Sequence, residues 1–127
     1  TNQVELSLFQ MQALTDGTLD QCQRLRMKPM AWSPLGGGRL SKTDDDVAHR
    51  LRTLMAELGP RYGTSDAPAT PEQLAYAWIL AHPSAPLVVI GTNKRERILG
   101  AARAGSISLE RQDWYRLWEA AQGRRIP

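Results

Sequence analysis

Two periods of apolar spacing divide the chain. Leu19, Cys22 and Leu25 recur at helical spacing behind Thr18-Leu19-Asp20-Gln21, which reads as a capping box. Val47, Leu51, Leu54, Met55 and Leu58 make a second helical stripe. Asp44, Asp45 and Asp46 precede it, where a helix N-terminus favours negative charge, and Gly59-Pro60 predicts its stop. After a loop over 61–69, Thr70-Pro71-Glu72-Gln73 combines an N-cap, a proline in the first turn and a capping glutamine. The helix it opens, through Ala81, is apolar nearly all round and should be buried, with His82-Pro83 ending it. Asn93 and Glu96 suggest a box for the next helix. Ser108 suggests a cap for the last, whose inner face would carry Trp114, Leu117, Trp118 and Ala121.

Short β-prone runs lie between these stripes. Residues 2–5, Pro29-Met30-Ala31-Trp32 and Leu87-Val88-Val89-Ile90 read as strands, the last being the clearest because it is continuous and β-branched. Residues 33–43 read as a loop rich in Gly, Ser and Pro. The order is strand, helix, strand, helix, helix, strand, helix, helix, which argues for parallel βα units. Three parallel strands would leave both sheet edges unpaired. The expectation is α/β architecture forming part of a larger fold, with the 127 residues as one portion of a single domain.

Composition changes this picture little. With 42% hydrophobic and 23% charged residues it is that of an ordinary globular protein. The longest apolar window, Leu74–Ala81, falls far short of the roughly 20 residues that span a bilayer, so no membrane partner is expected. Cys22 is the single cysteine; it reads as a buried core thiol and fits a reducing, cytoplasmic compartment. The net charge of +3 is uneven: residues 91–127 hold 8 basic and 4 acidic groups, against 8 and 9 in residues 1–90. An anion site beyond residue 90 is the sharper reading of that excess. Nucleic acid is not expected, because no basic–aromatic interleaving or binding signature accompanies it. The three aspartates read as a helix cap rather than a metal site, His82 and His49 as structural, and Trp114 and Trp118 as core anchors.

Gly36-Gly37-Gly38 needs its own explanation, since three glycines cost backbone entropy. Residues 36–43 nearly match the P-loop pattern, but Ser41 stands at its second glycine and the strand at 87–90 ends without a magnesium-holding acid. A second reading uses two loops together, Trp32–Arg39 and Gly91–Arg97, each following a parallel strand. In a (β/α)8 barrel that end of the strands carries the active site, and the loops after the last two strands often bind phosphate. Bare glycine backbone can approach a pyrophosphate closely. The helix after Asn93 adds free N–H groups and a positive dipole, and Lys94 and Arg97 add charge on one side of it.

Three motifs in series, Asn2-Gln3-Val4-Glu5, Ala31-Trp32-Ser33-Pro34-Leu35-Gly36 and Val89-Ile90-Gly91-Thr92 with Arg97-Ile98, resemble the C-terminal part of an aldo-keto reductase, the bacterial members above all. The resemblance runs over almost the whole chain. It implies the sixth, seventh and eighth strands of a (β/α)8 TIM barrel of ~250 residues or more, here an incomplete barrel. It implies NADP(H) as cofactor and a small carbonyl compound, aldehyde or ketone, as substrate. By the same resemblance Gln3 meets the nicotinamide carboxamide and Trp32 stacks on the nicotinamide ring. Ser33, Pro34, Leu35, Gly36, Gly37, Gly38 and Arg39 then cover the pyrophosphate. Gly91, Thr92, Asn93, Lys94 and Arg97 form the segment that grips the 2′-phosphate. Gly91 departs from the basic residue many members carry, which shifts weight onto Lys94 and Arg97. Gly100 and Ala101 depart from the amides that many members place near adenine.

The family's catalytic Asp, Tyr, Lys and His belong to the first half of the barrel. None of Tyr62, Tyr76 and Tyr115 can replace the tyrosine, so the chain alone is expected to be inactive, with the N-terminal strands as its partner. A non-enzymatic NADPH-binding subunit of the same fold is the alternative.

Overall fold

The computed structural model describes residues 1–64 and 66–126. Its elements run β1 (Asn2–Glu5), α1 (Gln12–Thr15), α2 (Thr18–Arg24), β2 (Pro29–Trp32), α3 (Arg39–Lys42), α4 (Asp46–Tyr62), α5 (Pro71–Leu80), β3 (Leu87–Val88), α6 (Arg95–Ala104) and α7 (Arg111–Gln122). The three strands form one parallel sheet in the order β1-β2-β3. Gln3 pairs with Met30 and Met30 with Leu87; Glu5 pairs with Trp32 and Ala31 with Val88.

The period of two gives the sheet unequal faces. Val4, Leu6 and Ala31 point into the core, where Leu51, Met55 and Leu58 of α4, Leu74, Trp78 and Ile79 of α5 and Leu117 of α7 pack with them. On the other face Gln3, Met30 and Leu87 line one row, with Glu5 and Trp32 in the next. That face is open: Trp32 is 42% exposed, Leu87 46% and Val89 39%. Helices α4, α5 and α7 therefore pack on one side of the sheet, and a partly apolar surface is left uncovered on the other.

Several boundaries differ from those the sequence suggests. Thr18 is the first residue of α2 rather than its cap; Gly17 holds the cap position, and Asp16 Oδ1 accepts from the Thr18 N–H at 2.9 Å. Leu25 falls past the end of that helix and is exposed. α4 continues through Gly59-Pro60 to Tyr62; the proline sits in the last turn, where it forgoes the bond to Ala56, and both Pro60 and Ala56 face solvent. Four residues of the expected 33–43 loop coil into α3. β3 is two residues long rather than four; beyond Val88 the Val89 N–H still donates to Ala31 O, but neither Val89 nor Ile90 is part of the strand. Neither Asn93 nor Ser108 caps a helix, the cap positions being Lys94 and Glu110. Ser65, inside the expected 61–69 loop, lies outside the described residues.

Other expectations hold. Asp45 caps α4, its carboxylate accepting from the Ala48 N–H. The Thr70/Gln73 box is complete in both directions, and α5 is buried from Leu74 to Ile79. Cys22 is buried. Trp114 is half-buried and stacks on Trp78 at 5.1 Å, and each indole N–H donates to the other residue's carbonyl.

Candidate cofactor site

β2 and β3 are adjacent and parallel, so the loops that follow them leave the sheet at the same end. The first begins at Ser33, held at φ +49°, a conformation that costs a non-glycine residue energy and turns the chain sharply away from Trp32. Gly36, Gly37 and Gly38 follow at φ +67°, +66° and +93°. Three consecutive left-handed residues are open only to glycine at tolerable cost, which is the physical reason for the triplet. Gly36 also lies against Phe9 from the loop after β1: a Cβ there would sit 2.6 Å from the ring's Cδ2. At Gly37 a Cβ would meet nothing within 4 Å, so its backbone faces open space. Among the described residues the Gly37 and Gly38 N–H groups find no acceptor in the protein. Successive unbonded N–H groups on a glycine turn form a nest for an anion.

This geometry is not that of a P-loop. There the Lys-[Ser/Thr] pair opens a long helix beneath the phosphates. Here Lys42 closes the four-residue α3, and Thr43 is extended at φ −114°, ψ 158°.

The second loop, 91–94, leads into α6. Thr92 Oγ1 accepts from the Lys94 N–H at 3.2 Å and fixes the entry to the helix. The N–H groups of Arg95 and Glu96 have no acceptor among the described residues, as expected for an uncapped first turn. Gly91, Asn93, Lys94 and Arg97 are exposed, and no ion pair engages Lys94 or Arg97 among the described residues. Gln73 Nε2 donates to Gly100 O and ties α6 to α5. Gln3 and Trp32 sit on the open face of neighbouring strands, Trp32 at the strand end from which the glycine loop departs.

Arg39 stands apart from the other expected phosphate contacts. Its Nη2 lies 3.2 Å from Asp45 Oδ2, and its guanidinium lies over the Phe9 ring, 4.5 Å from the centroid. The Asp45 carboxyl is pulled down to about 2, first by the Ala48 N–H and then by the Thr43 hydroxyl, with Arg39 adding to both. Phe9 is the residue the sequence did not offer: it is the single phenylalanine, outside any periodic stripe, and only the fold brings it to the glycines.

Two of the tyrosines, Tyr62 and Tyr76, are tied into the helix layer. Tyr62 donates to the buried Asp113, and its pKa is raised by burial and by that carboxylate. Tyr76 is buried on α5, which also raises its pKa. A proton donor near neutrality needs the opposite shift. Among the described residues no three His, Cys, Asp or Glu side chains gather as a metal group.

The aldo/keto reductase family pattern matches residues 1–122. The chain belongs to the aldo/keto reductase family. It is 45% identical over 127 residues to the oxidoreductase YdhF of Escherichia coli, all of this chain and 41% of that protein. It is 39% identical over 127 residues to the uncharacterized oxidoreductase YcsN of Bacillus subtilis, again all of this chain and 41% of the relative. A 6-dehydroglucose reductase of Agrobacterium fabrum is 39% identical over 126 residues, 99% of this chain and 40% of the relative. The chain thus spans about two fifths of the length of the curated relatives it matches. A crystal structure of a thermostable aldo-keto reductase with the inhibitor epalrestat superposes with a TM-score of 0.72 at 23% identity, over 93% of this chain and 38% of that one. That likeness establishes the fold: the open three-stranded sheet is part of an aldo-keto reductase barrel.

Proposed function

We propose that this chain forms the cofactor-binding portion of an NADP(H)-dependent reductase of aldehydes or ketones. The carrying observation is the convergence at one end of a parallel sheet of a glycine nest with unbonded N–H groups and a helix N-terminus bearing Lys94 and Arg97. The residues present fit a dinucleotide phosphate by donor chemistry. In the loop 33–38 the Gly37 and Gly38 N–H groups, unbonded among the described residues, would meet the pyrophosphate, while Thr92 and Asn93 lead into a helix start where the Arg95 and Glu96 N–H groups and the Lys94 and Arg97 charges would meet the far phosphate. Trp32 presents an exposed indole for a nicotinamide face, and Gln3 a carboxamide one strand away. When bound, the reduced nicotinamide supplies hydride. This chain binds and orients it, and the open sheet face excludes water once the other barrel strands cover it. The proton donor comes from outside these residues. The relatives named 6-dehydroglucose reductases support a carbonyl substrate, since a dehydro-sugar is a carbonyl compound.

The test is NADPH titration of the whole protein that carries this chain, followed by Trp fluorescence. Trp32→Ala should weaken binding by about 1–2 kcal/mol, the scale of an aromatic stacking contact, and abolish the quenching. Unchanged affinity and quenching would reduce Trp32 to packing and remove the nicotinamide site. Carbonyl reduction by the same protein separates the enzyme from a cofactor-binding subunit without catalysis.

A further inference from the structure

We propose that Arg39 is a positioning residue for the glycine loop and not a ligand of the cofactor's phosphates. This rests on the reading of residues 33–38 as the pyrophosphate nest. Arg39 ties together three parts of the chain, two of them, Phe9 and Asp45, through its guanidinium. The first is Phe9, whose ring lies 4.5 Å beneath Arg39 and also fills the space where a Gly36 side chain would be. The second is Asp45, which pairs with Arg39 Nη2 at 3.2 Å. The third is the glycine loop itself, whose last turn is held by the Lys42 N–H on Gly38 O at 2.9 Å. Both oxygens of Asp45 are engaged, which fixes its carboxylate: one takes the Ala48 N–H at 2.9 Å, and the other takes the Thr43 hydroxyl at 2.8 Å and Arg39. The clamp therefore locks the downstream end of the loop to the first turn of α4 and its flank to the loop after β1.

The physical need for such a clamp is plain. A triplet of glycines has the greatest conformational freedom of any tripeptide, and binding must remove it. Fixing the triplet beforehand lowers the entropic cost of closing backbone N–H groups on a ligand. A planar guanidinium can stack flat on an aromatic ring while its edge pairs with a carboxylate; an ammonium has no flat face to stack. Asp45 holds Arg39 Nη2 and Phe9 covers one face of the guanidinium, so both contacts tie the side chain to the protein.

The experiment uses the whole protein and two measurements. Hydrogen exchange of the bonded amides of Gly36 and of residues 39–42, in the protein free of cofactor, reads the clamp without reference to binding. Dissociation constants for NADPH and NADH read its consequence. Arg39→Lys and Phe9→Leu should each speed exchange at least tenfold and weaken both cofactors about equally, by roughly three- to tenfold. Asp45→Asn should weaken both as well, and Arg39→Lys combined with Asp45→Asn should lose no more than the worse single variant. If Arg39 instead grips phosphate, Asp45→Asn frees it and tightens binding, and Arg39→Lys keeps most of the affinity; either result overturns the proposal. Gly37→Val separates the two claims. If it leaves affinity unchanged, the nest reading fails. If it abolishes affinity while the Arg39 and Phe9 variants bind normally, the nest stands and the clamp is refuted.

Discussion

His82 shows how much a single side chain's surroundings decide. Its Nδ1 accepts from the Ser84 N–H at 3.1 Å and meets the Ser84 hydroxyl at 2.9 Å, which requires that nitrogen to be unprotonated. Burial holds its pKa below the ordinary 6.5, with Asp20 opposing weakly. A depressed folded-state pKa means that the unfolded chain binds the proton first. Stability should therefore be intact above about 6.5 and fall as the pH drops below it. Urea unfolding of the whole protein, compared at neutral and mildly acidic pH, should show this loss, and His82→Asn should flatten it. Parallel pH curves for the two proteins would contradict the half-buried neutral imidazole. Trp32 is the complementary case. Its exposure at a strand end is unusual for the largest side chain, and it marks a surface meant to be covered.

Among the elements, α4 and α7 are joined by charge as well as by packing. Asp113 is only 2% exposed, and its carboxylate accepts from Arg61, from the Tyr62 hydroxyl and from Arg116. Arg116 also reaches Glu57 at 2.8 Å, and Arg50 Nε donates to Ala120 O at 2.8 Å near the end of α7. Removing the acceptor at the centre leaves several donors unmatched, so Asp113→Ala should cost about 3 kcal/mol in denaturant unfolding. A loss within the few tenths expected of a surface change would show that the network adds nothing. The helices themselves were largely legible in the sequence, because stripes such as Leu51–Met55–Leu58 and the Thr70/Gln73 box are local signals. Capping was read less well. Thr18, Asn93 and Ser108 are good cap residues by type, but the chain path places them a residue or two from the cap. β3 was the strongest strand by composition and is the shortest in the structure. Pairing register, not β-branching, sets strand length: β2 pairs with β1 at four positions but with β3 only at Met30–Leu87 and Ala31–Val88. The site divides similarly. The glycines announce themselves, while Phe9 and the engagement of Arg39 depend on contacts between loops that no periodicity records.

At the scale of the whole molecule, the sheet is a layer with one face packed and one face open. Its inner rows, Gln3-Met30-Leu87 and Glu5-Trp32, mix apolar and polar groups as the lining of a ligand-bearing barrel would. Positive charge collects beyond residue 90, and Lys94 and Arg97, at the start of α6 and in no ion pair among the described residues, stand at the same sheet end as the glycine loop. The account predicts a division of labour between them: the nest serves what NADPH and NADH share, and Lys94 and Arg97 serve the 2′-phosphate that only NADPH carries. The most direct measurement is the pair of dissociation constants, NADPH and NADH, for Lys94→Ala and Arg97→Ala in the whole protein. Each substitution should weaken NADPH by about 1–3 kcal/mol more than NADH, the worth of a charge-assisted hydrogen bond. Equal losses for the two cofactors, or none for either, would contradict the assignment.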